Sequence, residues 1–97
     1  MNKYVKKEKI KIEKQIQKYK KLREQFKNKR QKYKKLAQKY ETISMETEQG
    51  TKKAIKINSK MWKYKEIEEY YISKIFEMNE LIQVNNYMLN FGEFKNE

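Results

Sequence analysis

Residues 42–51 read Thr-Ile-Ser-Met-Glu-Thr-Glu-Gln-Gly-Thr, and the fold turns on whether this stretch bends. Its three Thr and one Ser lower helix propensity. Gly50 suits the left-handed conformation that ends many helices. Thr51 or Ser59 can cap a following helix, although neither has a Glu or Gln three residues on. The spacing therefore predicts one domain over residues 1–97. It has a first helix at 2–48, a turn at 49–51, a second helix at 52–90 and a tail at 91–97, frayed or folded back from Phe91-Gly92-Glu93-Phe94.

Upstream of the bend, Val5, Ile12, Tyr19, Phe26, Tyr33 and Tyr40 recur every seven residues. Seven residues span about two helical turns, so these side chains share one face. Taking them as heptad position a, the d positions are Glu8, Gln15, Leu22, Lys29, Leu36 and Ile43. Half of those are polar, and Ile16 and Ala37 widen the stripe slightly. Four aromatic a residues are too bulky for a tight two-stranded seam. They suit an interface in which rings lie across a facing helix.

Downstream, the same beat gives Ala54, Met61, Glu68, Ile75, Ile82 and Leu89 at a, with Ile57, Tyr64, Tyr71, Met78 and Asn85 at d. Ile55, Trp62, Ile67, Ile72, Phe76, Leu81, Val84 and Met88 fall outside that seam. The second helix thus has a broader apolar surface than one partner helix covers. The helix-packing residues expected from both halves are Val5, Ile12, Tyr19, Phe26, Tyr33, Tyr40, Met61, Tyr64, Tyr71, Ile75, Ile82 and Leu89.

Val5 and Met61 are 56 residues apart, so the heptad phase is the same on both sides of Gly50. One continuous coiled-coil helix would also keep that phase, and it is the alternative fold. An antiparallel hairpin would place Tyr40 near Met61 and Tyr64, Phe26 near Ile75 and Met78, and Ile12 near Leu89. It would also let Glu66, Glu68, Glu69, Glu77 and Glu80 approach the first helix. The fold class read from the sequence is all-α: a long two-helix antiparallel hairpin or coiled coil that self-associates into a helical bundle.

Composition agrees with long helices. Only 37% of residues are hydrophobic, 39% are charged, and there is no Pro and two Gly. A compact globule of this size needs more apolar material, whereas a narrow seam does not. The absence of Cys and His excludes disulfides, thiolate and imidazole chemistry and the common zinc sites. No phosphate-binding glycine loop, activated nucleophile or convergent acid–base pair stands out. The expectation is a non-enzyme with no catalytic residue, metal or cofactor. No apolar run reaches the length of a membrane span and no apolar stretch follows the basic start, so a cytoplasmic location is expected. A virus particle, or export without a cleavable signal, are the alternatives. The abundance of Lys, Ile, Asn and Tyr matches AT-rich codons.

Charge is unevenly spread. Residues 1–40 hold 17 Lys or Arg against three Glu, a formal +14, and residues 41–97 carry a formal −2. The order that stabilises a helix, Glu followed four residues later by Lys, does not occur in residues 1–40. Like charges four apart do, as in Lys7–Lys11, Lys14–Lys18 and Arg30–Lys34. A solvated, solubilising face is one reading of this surface. The other is contact with a polyanion, either nucleic acid or an acidic protein, through Lys6, Lys7, Lys14, Lys18, Lys20, Lys21, Lys27, Lys34 and Lys35. Lysine supplies point charges to phosphates and little base discrimination, so such nucleic-acid binding would be non-specific and salt-dependent.

Trp62, Tyr70 and Phe76 flank the second helix. They suit burial in a self-associated bundle or a docking patch for a different protein, such as a hetero-helical partner. In length, hairpin reading and single Trp the chain loosely resembles the WXG100-like helical-hairpin proteins of type VII secretion. Trp62-Lys63-Tyr64 lacks that group's glycine, and Tyr64-x-x-x-Glu68 lies inside the second helix where that group's export pattern follows it. The resemblance is one of shape, and no residue is carried over from it. It implies an adaptor or secretion partner. The charge implies an assembly or scaffold protein, homo-oligomeric, with a nucleic-acid-binding helix.

Overall fold

The computed structural model describes residues 3–91. Expectations for residue 2 and for the tail beyond Phe91 lie outside the described residues. Two helices form, α1 over Lys3–Glu46 and α2 over Lys52–Phe91. They make an all-α helical hairpin, so the chain turns and does not run through as one helix. α1 ends two residues earlier than its heptads suggest.

The turn is built from the polar residues that weaken helix there. Gly50 has φ +85°, a conformation that an L side chain adopts only at a cost. The Thr47 amide closes onto the Ser44 carbonyl at 3.2 Å. Thr42 and Thr47 return their hydroxyls to the carbonyls four residues back, at 3.1 and 2.7 Å. Thr51, not Ser59, is the cap of α2: its Oγ1 accepts from the Ala54 amide at 3.1 Å. The Gln49 side chain donates to the Ser44 and Thr47 carbonyls at 3.0 and 3.3 Å. Asn58 binds both sides of the bend: its Nδ2 donates to Gln49 Oε1 at 3.4 Å, and its Oδ1 accepts from the Ser44 hydroxyl.

Neither helix has an acidic residue in its first turn or a basic one in its last. α1 and α2 both begin on lysine, against the helix dipole, a cost of about 0.3–1 kcal/mol at each exposed terminus. Side-chain packing must therefore hold the helices. Contacts divide the chain into two compact units.

The first unit, residues 26–73, contains the turn. Its seam is an aromatic ladder whose rungs alternate between the helices. Phe26 meets Tyr71 with ring centroids 6.0 Å apart, Tyr71 meets Tyr33 at 5.9 Å, Tyr33 meets Tyr64 at 6.0 Å, and Tyr64 meets Tyr40 at 5.6 Å. Pairs of this kind contribute about 0.5–1.5 kcal/mol beyond their buried area. Ala37, buried between Tyr33 and Tyr40 in sequence, leaves room for rings to lie across the facing helix. Ala54, Ile57 and Met61 are the other buried apolar residues of this unit. Arg30 pairs with Glu68 at 3.3 Å beside the ladder.

The second unit, residues up to 25 and from 74 onward, is aliphatic. Ile12, Ile16 and Ile82 form its core, with Val5, Tyr19 and Leu89 packed against them. Met78 is buried as well. Arg23 donates to the Asn79 side chain at 2.8 Å. Asn85 is buried, and its amide donates to the Leu81 carbonyl at 2.7 Å.

The α2 seam follows the a and d positions of the sequence pattern. The α1 seam follows the a stripe, but its second line differs. Ile16 and Ala37, at 4% and 3% exposure, are among the most buried residues of α1, while Lys29 at a d position is exposed. Leu22, Leu36 and Ile43 at d are half-buried, and the stripe is widened by Lys9, Ile16, Arg23, Arg30, Ala37 and Ser44, four residues after each a position. Four of those six are polar, and three meet a polar partner on α2: Arg23 with Asn79, Arg30 with Glu68, and Ser44 with Asn58.

Candidate functional site

With the α1 seam so placed, the line directly opposite it carries Lys7, Lys14, Lys21 and Lys35. Seven residues advance a helix by about 10.5 Å, so this is a periodic row of cations along one face. Lys11, Lys18, Lys32 and Lys39 flank it on one side, and on the other the nearly uncharged line of Ile10, Gln17, Glu24, Gln31 and Gln38 separates it from Lys6, Lys20, Lys27 and Lys34. Of the nine candidate lysines, Lys6, Lys7, Lys14, Lys18, Lys20, Lys21, Lys27 and Lys35 are exposed and Lys34 is half-buried. Among the described residues the ion pairs involve Arg30 and Lys74, not these nine.

The chain's two arginines do something different. Both reach polar partners on α2: Arg30 meets Glu68 beside the ladder, and Arg23 meets Asn79 in an exposed contact. The planar guanidinium suits such directed pairing, whereas an ammonium on a flexible stem suits a hydrated outer face. Lys9 and Lys34 are half-buried as well, so what sets the two arginines apart is their directed polar contact with α2.

Some lysines lean on aromatic rings. Lys29 lies 5.9 Å from the centre of the Tyr71 ring and Lys32 5.6 Å from that of Tyr33. Lys39 and Lys60 both lie over Tyr40, at 5.9 and 5.6 Å. Such contacts fix the ammonium groups loosely beside the ladder. The rings of Phe26, Tyr33 and Tyr40 themselves are half-buried in the seam, as is Tyr19 against the aliphatic core. They are occupied by packing and are poorly placed to stack on bases.

The second candidate surface lies on α2. Trp62 is 59% exposed, Tyr70 54% and Phe76 64%. Lys65 sits 4.9 Å from the centre of the Trp62 ring. Tyr70 packs edge-on against Tyr71 at 5.2 Å. Of the glutamates expected near α1, Glu68 reaches Arg30, Glu77 pairs within its own helix with Lys74 at 3.3 Å, and Glu66, Glu69 and Glu80 are exposed.

The expected helix-packing residues all lie on the seam, buried or half-buried. Seam residues that the heptads missed are Arg23, Arg30 and Ser44. Their four-residue offset from the aromatic stripe was the available signal. A shallow depression lined by Ile10, Glu13, Lys14 and Gln17 is walled by α1 alone and builds no enclosed site. Among the described residues no group of His, Cys, Asp or Glu could hold a metal ion, and no helix is long and apolar enough to cross a membrane.

Fold and surface together define a cysteine-free α-hairpin with exposed lysines on one helix and exposed aromatic side chains on the other. No protein-family model matches the chain, and comparison with curated proteins and with solved structures yields no match.

Proposed function

We propose that this chain is a non-enzymatic helical assembly protein whose α1 lysines hold an anionic partner, nucleic acid, by its phosphates. The observation that carries this reading is the segregation of cations on α1. Exposed lysines line the face opposite the seam, and the two arginines are engaged with polar partners on α2. A row of ammonium groups neutralises phosphates without reading bases. Because the seam aromatics are packed, the contact is to the backbone and needs no unpaired bases. Binding then releases counterions and weakens steeply with salt.

The test is fluorescence anisotropy of a labelled random duplex titrated with the full chain. Binding is expected at low salt, with the logarithm of affinity falling linearly against the logarithm of salt concentration. No binding at about 50 mM salt, where such contacts are strong, rejects the proposal.

A second reading is an adaptor or secretion partner that docks another protein on Trp62, Tyr70 and Phe76. It is favoured by the exposure of these three large side chains, since aromatic anchors dominate interface energies. It expects Trp62→Ala to abolish capture of that protein while circular dichroism stays unchanged.

A further inference from the structure

The unit over residues 26–73 has two unlike edges where its helices meet. One is marked by Ser44 on Asn58, each four residues after an a position, and by Arg30 on Glu68. The other lies one residue before each a position and carries Lys32 and Lys39 on α1, with Lys53 and Lys60 on α2. Lys39 and Lys60, one from each helix, converge there on the Tyr40 ring, 5.9 and 5.6 Å from its centre. On the same side Lys29 reaches from α1 to the Tyr71 ring of α2, at 5.9 Å. Residues three and four apart are neighbours on a helix surface. Lys29, Lys32, Lys35 and Lys39 therefore form one stripe on α1, and Lys53, Lys56, Lys60 and Lys63 form a second on α2. All eight are exposed.

Carboxylates leave these stripes almost unanswered. Among the described residues of this unit only Glu46, at the end of α1, borders the lysine edge. Glu68 is taken by Arg30, Glu41 and Glu69 lie toward that other edge, Glu66 points away from α1, and Glu48 is in the turn. Like charges this close repel, and an anion laid along both stripes relieves the repulsion. A lipid surface is a poor occupant. Ile55, Trp62 and Ile72, the exposed apolar side chains that could anchor in it, lie round the other side, and only Tyr70 borders this one. An acidic protein would need an apolar centre to its interface, and the rings beneath these lysines are half-buried in the seam. A phosphate backbone needs only the point charges.

We infer that the two stripes form one phosphate-binding face, so that α2 as well as α1 holds the nucleic acid. The inference rests on the nucleic-acid reading above and deepens it by adding Lys53, Lys56, Lys60 and Lys63 to the contact. Lys35 belongs both to this face and to the α1 row of Lys7, Lys14 and Lys21. The formal charge of residues 41–97 hides the second stripe. Residues 52–65 contain six Lys and no Glu, and the glutamates that offset them come later in the chain, from Glu66 onward, or before it, up to Glu48.

The test titrates a labelled random duplex with the full chain and with two triple variants of equal formal charge, over a range of salt. One variant carries Lys56→Gln, Lys60→Gln and Lys63→Gln. The other carries Gln83→Glu, Asn86→Glu and Asn90→Glu, at exposed positions of α2 outside the face. The first should reduce the slope of log affinity against log salt by about 3 and the second by less than about 1, since the slope counts phosphates neutralised. On the unmodified chain, bound duplex should shield Lys53, Lys56, Lys60 and Lys63 from reductive methylation, read by mass spectrometry. Equal slopes for the two variants, or no shielding of the α2 lysines, overturns the two-helix face. If the unmodified chain still binds duplex, the α1 reading survives that result. No binding by the unmodified chain rejects the reading on which the face rests. Tighter binding to anionic phospholipid vesicles or to polyglutamate than to duplex overturns the nucleic-acid partner.

Discussion

Arg30 and Glu68 meet beside the aromatic ladder, with the Glu68 side chain mostly shielded and that of Arg30 partly open. Removing one partner leaves the other incompletely solvated. Glu68→Ala should therefore lower stability by about 1–2 kcal/mol, measured by urea unfolding, while duplex affinity stays unchanged. Tyr64 touches both Tyr33 and Tyr40. Tyr64→Ala removes two rungs and should cost about 3 kcal/mol, whereas Tyr64→Phe keeps the ring and should cost under about 1 kcal/mol. Equal losses for the two variants would show that the phenol hydroxyl, not the ring, holds the seam.

At the scale of the elements, the bend is the most sensitive place. Nothing lies within 4 Å of a Cβ built on Gly50, so substitution there meets only backbone strain. Gly50→Ala should cost about 1–2 kcal/mol, and Gly50→Asn less, read as a shift in the urea midpoint with constant slope. Thr51→Ala removes the cap of α2 and should cost about 1 kcal/mol. The bend, the two helices and the α2 seam were legible in the sequence, because Gly50, the Thr cluster and the a and d positions of α2 are local signals. The second line of the α1 seam was not. Leu22, Leu36 and Ile43 at d are half-buried, as their spacing suggests, while Arg23, Arg30 and Ser44 look misplaced until α2 supplies Asn79, Glu68 and Asn58 opposite them. Hydrophobic periodicity read on one helix cannot register a polar residue whose partner is 14 to 56 positions away. The exposed large side chains of α2 were visible as surplus apolar residues outside its seam.

For the whole molecule, net charge sets the behaviour. A formal +12 concentrated on α1 repels itself, and neighbouring lysines four apart add to the strain. Added salt should raise the melting temperature of the free chain, followed by circular dichroism, while lowering its duplex affinity. The opposite signs of these two effects are the signature of an outer cationic face. Replacing Lys7, Lys14, Lys21 and Lys35 by Gln should reduce the slope of log affinity against log salt by about 3–4, at nearly unchanged helix content. An unchanged slope would place the contact elsewhere. The division of labour between the two kinds of cation also has a chemical corollary. In amine-selective acylation the neutral lysine amine, having lost its ammonium proton, attacks a reagent such as acetic anhydride and releases acetate, and guanidinium is spared. It would strip charge from the exterior one side chain at a time while Arg23 and Arg30 go on bracing the hairpin from within.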